Sequence, residues 1–151
     1  MKIKHILVPI DFSLFADQAL EYAIELAKSF SARLTLLHVI HFPPLMTDEY
    51  DTSGYVTYLE EIETDAAQHM QVLRNRMHEE GLQGETVIVH EVPFQAIINT
   101  AKEKAVDLIV MGTHGRTGLT HVLMGSVAER VVRLAPCAVL VTRGKTETSD
   151  A

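Results

Sequence analysis

Five short apolar runs, separated by stretches with helical spacing, constrain this chain more than any other feature. Ile6-Leu7-Val8 ends at Pro9 and Asp11, and the run from Leu34 to Ile40 ends near Pro43-Pro44. Thr86-Val87-Ile88-Val89 stops before Pro93, the run from Leu108 to Met111 at Gly112, and the run from Ala138 to Val141 before Gly144. None alternates cleanly, which is the pattern of strands buried on both faces. Ser13 can cap a helix running to about Phe30, with Ala16, Ala19, Leu20, Ala23, Ile24 and Ala27 on one stripe. Leu59, Ile62, Ala66, Met70, Leu73 and Met77 follow at spacings of 3, 4, 4, 3 and 4 and mark a second helix, stopped by Gly81. Pro93 opens a third with Phe94, Ile97, Ile98 and Ala101. Val127, Ala128, Val131 and Leu134 mark a fourth, ending before Pro136.

Strands that alternate with helices need crossover connections. The expected fold is therefore α/β, a doubly wound, mainly parallel sheet with helices on both faces. Residues 1–144 read as one domain and the polar residues 145–151 as a tail. Residues 41–58 read as a long connection. From Asp48 to Asp65 there are seven acids and no base. This is a solvated acidic face, or a flap over a ligand or partner.

Charge narrows the function. The net charge is -7 across 151 residues, which opposes binding to nucleic acid or to an anionic membrane surface. The segment 112–145 reverses the sign, with five bases and only Glu129 as an acid, and suits a small anion. Cys137 is the only cysteine, so no intrachain disulfide forms. With neither a signal peptide nor an apolar run long enough to span a membrane, the expected location is cytoplasmic.

The most informative segment is Met111-Gly112-Thr113-His114-Gly115-Arg116-Thr117-Gly118, followed by Gly125-Ser126 at or before a helix start. Glycines there let the backbone turn tightly and approach a ligand, and successive N–H groups form an anion nest. The helix that follows aims further unpaired N–H groups at the same place, and Ser126 adds a hydroxyl. No lysine follows the glycines as in the common phosphate loop, and no glycine follows the first strand as in a dinucleotide fingerprint. Asp11, at the end of the first strand, suits either an Asx-turn or a sugar hydroxyl. Val39 reads as core whose backbone could meet an adenine edge. The histidines show no metal-ligand spacing.

Gly112, two residues, Gly115, nine residues, then Gly125-Ser126 resembles the nucleotide pattern of the universal stress protein family. The opening Ile6-Leu7-Val8-Pro9-Ile10-Asp11-Phe12-Ser13 and the close Pro136-Cys137-Ala138-Val139-Leu140-Val141 are also similar to that family. The resemblance implies a five-stranded parallel sheet in order 3-2-1-4-5 and binding of ATP or AMP, for which Mg²⁺ or Mn²⁺ is an optional companion. It places Pro9, Ile10, Asp11 and the backbone at Val39 near the adenine and ribose. Met111, Gly112, Thr113, His114 and Gly115 would lie along ribose and phosphates, as would Gly125, Ser126 and Val127. Arg116 takes a place where the family commonly has Arg or Lys. The resemblance further implies a homodimer through Ala138, Val139, Leu140 and Val141, and a stress-response regulator or sensor. The alternatives are a slow metal-dependent ATP hydrolase or phosphotransferase, and a dimer that binds partners without ligand. No catalytic or metal-ligating residue is assigned; the 112–127 segment contains no acid.

Overall fold

The computed structural model describes residues 1–42, 52–114 and 124–144. Strand and helix alternate through β1 (His5–Pro9), α1 (Leu14–Phe30), β2 (Arg33–Ile40), α2 (Thr52–Glu79), β3 (Gly84–His90), α3 (Pro93–Glu103), β4 (Leu108–Gly112), α4 (Ser126–Leu134) and β5 (Ala138–Thr142). The strands form one sheet in order β3-β2-β1-β4-β5 with every neighbouring pair parallel.

Period-two alternation in the strands supplies both helical layers. Ile6, Val8, Leu34, Leu36 and Val110 pack with Leu20 and Ile24 of α1 and with Met70 and Met77 of α2. Leu7, Leu37, Ile109 and Met111 face the other way, onto Ala96 and Ile97 of α3 and Ala128 and Val131 of α4. Local signals start and stop the helices. Ser13 accepts from the Ala16 amide as N-cap, Pro93 stands in the first turn of α3, and Gly81 follows α2 in the left-handed region at φ 73.

Three expectations change. Helix α2 begins at Thr52, so residues 52–58 leave the long connection and join a helix. Thr52, Gly54, Val56 and Thr57 are weak helix formers, and continuity with the stripe from Leu59 carries them. β3 and β5 are not buried on both faces, because each lies at an edge of the sheet, where helix cover runs out. Leu134 is 52% exposed, since it is the last residue of α4 and lies beyond the core stripe.

A polar cluster closes the end of the sheet opposite the strand C-termini. Asp107 Oδ2 accepts from the amides of Lys4 at 2.8 Å and His5 at 3.0 Å. The His5 ring is 2% exposed. Its Nδ1 lies 3.1 Å from the Lys104 carbonyl, which can only accept, so that nitrogen carries the proton. Nε2 lies 2.7 Å from Thr35 Oγ1, whose hydroxyl donates to Glu85 Oε1 at 3.1 Å. Burial, followed by the charge of Arg33, holds the His5 pKa below 6.5. Unfolded His5 therefore binds a proton that the folded ring resists. The stability it contributes is complete above about pH 6.5 and is lost as pH falls through the lower folded value. Urea melts of wild type and His5→Gln should show the wild type losing more stability between pH 7 and 5. Parallel losses would remove His5 from the acid response.

No described helix is long and apolar enough to cross a membrane.

Candidate functional site

The sheet opens between the central strand β1 and its neighbour β4. Registered pairing of β1 with β4 covers Ile6–Leu108 and Leu7–Ile109 and goes no further. On the outer sides, pairing continues to Pro9–Leu37 and to Gly112–Thr142. Past β1, the Ile10 amide donates to the Leu37 carbonyl at 2.7 Å, following β2 rather than β4. The split lies where the strand order reverses, which is where doubly wound sheets take their ligands.

Pro9, Ile10 and Asp11 form one lip. Asp11 Oδ1 accepts from the Ser13 amide at 3.0 Å and from the Ser13 hydroxyl at 2.5 Å. Ser13 Oγ in turn accepts from the Ala16 amide at 3.2 Å. The Asx-turn reading of Asp11 is thus realised, with both bonds on one oxygen. Phe12 bends the chain at φ 64, a left-handed conformation that costs a non-glycine residue roughly 1–2 kcal/mol. Its ring stacks on His38 at 4.3 Å and meets the His69 ring edge-on at 4.7 Å. Burial, then the charge of Asp11, raises the pKa of nearby Asp17. Val39 reaches past the end of β1 and keeps Val89 as its sheet partner. Its side chain packs in the layer beneath α3 and α4.

The other lip is the end of β4. Met111 is a core residue, 6% exposed. A Cβ on Gly112 would stand 3.0 Å from both the Cβ and the carbonyl oxygen of Phe15. Gly112 therefore has a packing reason: α1 passes too close for a side chain. Gly144, beyond β5, is pressed by the same Phe15 ring. The Thr113 amide donates to Thr142 O at 3.0 Å, and the Thr113 carbonyl accepts from the Gly125 amide at 2.6 Å. That second bond clasps the two ends of the 114–124 connection. A Cβ on Gly125 would lie 3.1 Å from Thr113 O, so this glycine also serves the clasp. For both glycines this packing role stands beside the expected ligand approach.

His114 turns toward Thr113, with Nδ1 3.0 Å from Thr113 Oγ1, and its ring lies 5.5 Å from that of Phe15. Gly125 is the N-cap of α4 and provides no side-chain cap. The first-turn N–H groups, from Ser126 and Val127 onward, thus face the clasp. Ser126 is exposed, and Val127 packs against the core. Gly115, Arg116, His121, Met46 and the acids at 48–51 lie outside the described residues. Cys137 is half-buried, and burial raises its thiol pKa, the reverse of what a nucleophile needs.

The structure thus brings Pro9–Asp11, Met111–His114 and Gly125–Val127 to the same end of the sheet, with Val39 on the neighbouring strand. Sequence reasoning missed Phe12, Phe15 and His38. A histidine inside the apolar run of β2 was the one available signal. Among the described residues no group of three His, Cys, Asp or Glu side chains is placed to hold a metal ion.

A family model described as the universal stress protein family matches residues 2–143. The chain belongs to this family. Among universal stress proteins, YxiE of Bacillus subtilis is 36% identical over 143 residues, covering 91% of this chain and 97% of its own. The solved structure of MJ0577, from Methanocaldococcus jannaschii, has a TM-score of 0.80 at 29% identity and covers 97% of this chain and 100% of its own. UspA from Lactobacillus plantarum has a TM-score of 0.78 at 31% identity, covering 95% and 99%. Two more distant universal stress proteins share the fold at TM-scores of 0.65 and 0.67. One is in complex with cAMP, and the other, from Archaeoglobus fulgidus, with dAMP.

Proposed function

We propose that this universal stress protein is a cytoplasmic adenine-nucleotide-binding regulator that takes ATP or AMP across the split between β1 and β4. The observation that carries the reading is the split itself, which ends strand pairing at the point where Asp11 and the start of α4 flank the opening. The cAMP and dAMP complexes of two proteins with this fold support an adenine ligand. In this reading Asp11 and the Val39 backbone meet ribose and adenine. Gly112 to Arg116 and Gly125 to Val127 wrap ribose and phosphates, where unpaired helix N–H groups favour negative charge. Mg²⁺ or Mn²⁺ would travel with the triphosphate, since 112–127 offers it no carboxylate. The reading includes a homodimer through Ala138–Val141. Leu140 of the edge strand β5, 37% exposed, supports it, because edge strands with exposed apolar side chains are usually covered.

Titration calorimetry of nucleotide-stripped protein with ATP and Mg²⁺, with AMP and GTP alongside, tests the ligand. Micromolar or tighter ATP binding, weaker for GTP, is the expected result. Folded protein that binds none of the three would refute it. Light scattering on the same sample reports the dimer.

A further inference from the structure

We infer that His38 and Phe12 are positioning residues, which together hold the Asp11 carboxylate in the orientation a ribose hydroxyl or adenine amine requires. The inference rests on the nucleotide reading above. Asp11 has two chain neighbours, and one side chain grips both. His38, on β2 and 7% exposed, lies with Nδ1 2.6 Å from the Ile10 carbonyl. A carbonyl can only accept, so Nδ1 carries the hydrogen and donates it to Ile10. The face of the same ring stacks on Phe12 at 4.3 Å and 30° between planes.

Phe12 occupies a conformation for which glycine is the usual residue, φ 64. A bulky aromatic keeps such a conformation only where its surroundings over-determine it, and strain of this kind clusters at ligand sites. Here the surroundings are the His38 ring on one side and the His69 ring of α2 on the other, 4.7 Å away. The bend lets both the amide and the hydroxyl of Ser13 reach Asp11 Oδ1. With Oδ1 so engaged, the carboxylate torsion is set and Oδ2 is presented to an incoming donor. Preorganisation of this kind lowers the ordering cost of binding.

Three variants test the arrangement. Phe12→Gly relieves the strain and deletes the ring. His38→Asn keeps an amide donor for Ile10 but deletes the stack. Phe12→Tyr keeps the ring. The first readout needs no ligand: exchange of the Ser13 amide hydrogen, against the Leu7 and Ile109 amides as internal references. In Phe12→Gly and His38→Asn, Ser13 exchange should rise about tenfold while the references hold, and Phe12→Tyr should behave as wild type. The second readout compares ATP with inorganic tripolyphosphate. ATP affinity should fall about tenfold in the first two variants, with tripolyphosphate within about twofold of wild type.

Unchanged Ser13 exchange in folded Phe12→Gly and His38→Asn overturns the inference. So do equal losses for ATP and tripolyphosphate, which would mark a general disturbance. Absence of ATP binding by wild type would remove the nucleotide reading alone. Ser13 exchange would then decide whether these rings hold the Asp11 turn.

Discussion

Gly125→Val should lower ATP affinity about 100-fold, roughly 2.7 kcal/mol, while leaving the fold in place. The residue sits at extended backbone angles, φ -67 and ψ 161, which any side chain adopts. Backbone strain is therefore not the cause. The new Cβ would stand 3.1 Å from the Thr113 carbonyl, and a branched side chain cannot stay there. Thr113 must give way, and the 2.6 Å bond from the Gly125 amide is lengthened and strained. The start of α4 then shifts against the end of β4, and the two no longer converge on the phosphates of the proposed nucleotide. Both partners of the strained bond lie at the rim of the sheet, so the core layers should survive. Calorimetry reads the affinity, and circular dichroism with a thermal melt reads the fold. ATP binding within about threefold of wild type, in a folded variant, would detach the clasp from the site.

Ile109→Ala should remove about 2–5 kcal/mol of stability, a large share of the ~5–15 kcal/mol typical of a folded domain. Ile109 is fully buried in the central strand β4, paired across to Leu7 and Val139. It packs in the layer with Ala96, Ile97 and Ala101 of α3 and Ala128 and Val131 of α4. Several of these neighbours are alanines, short side chains that cannot swing into the space left behind. The cavity therefore stays open and adds to the lost transfer energy. For a chain this long the melting temperature should drop by about 5–15 °C. Urea unfolding should show a lower midpoint at an unchanged slope. A midpoint shift worth less than about 1 kcal/mol would mean that α3 and α4 close over the cavity.

The features legible in the sequence are those with local causes. Ser13, Pro93 and Gly81 act on their own helices, so the boundaries they set stand where expected. The paired layers follow from apolar periodicity, and the family's sheet order is the order observed. Features that depend on chain segments distant in sequence were not legible. The packing of Gly112 against Phe15, from a helix near the start of the chain, has no local signal. His38 reads as a strand residue until its contacts to Ile10 and Phe12 are in view. The first turns of α2 were missed because Gly54 and the β-branched residues around it carry loop-like propensity. The early end of β1–β4 pairing has no sequence signature at all, since both strands read as equally apolar to their ends.

The short β1–β4 pairing also leaves the upper part of this seam to side-chain packing, without backbone bonds. One leaf carries β3, β2 and β1, the other β4 and β5, and the spine between them is stitched only at its lower half, by Ile6–Leu108 and Leu7–Ile109. Phe15 of α1 rests against Gly112 and Gly144, both on the leaf that carries β4 and β5. A molecule reaching from Asp11 to the start of α4 would add the missing upper stitch. The freedom of one leaf against the other would then depend on occupancy.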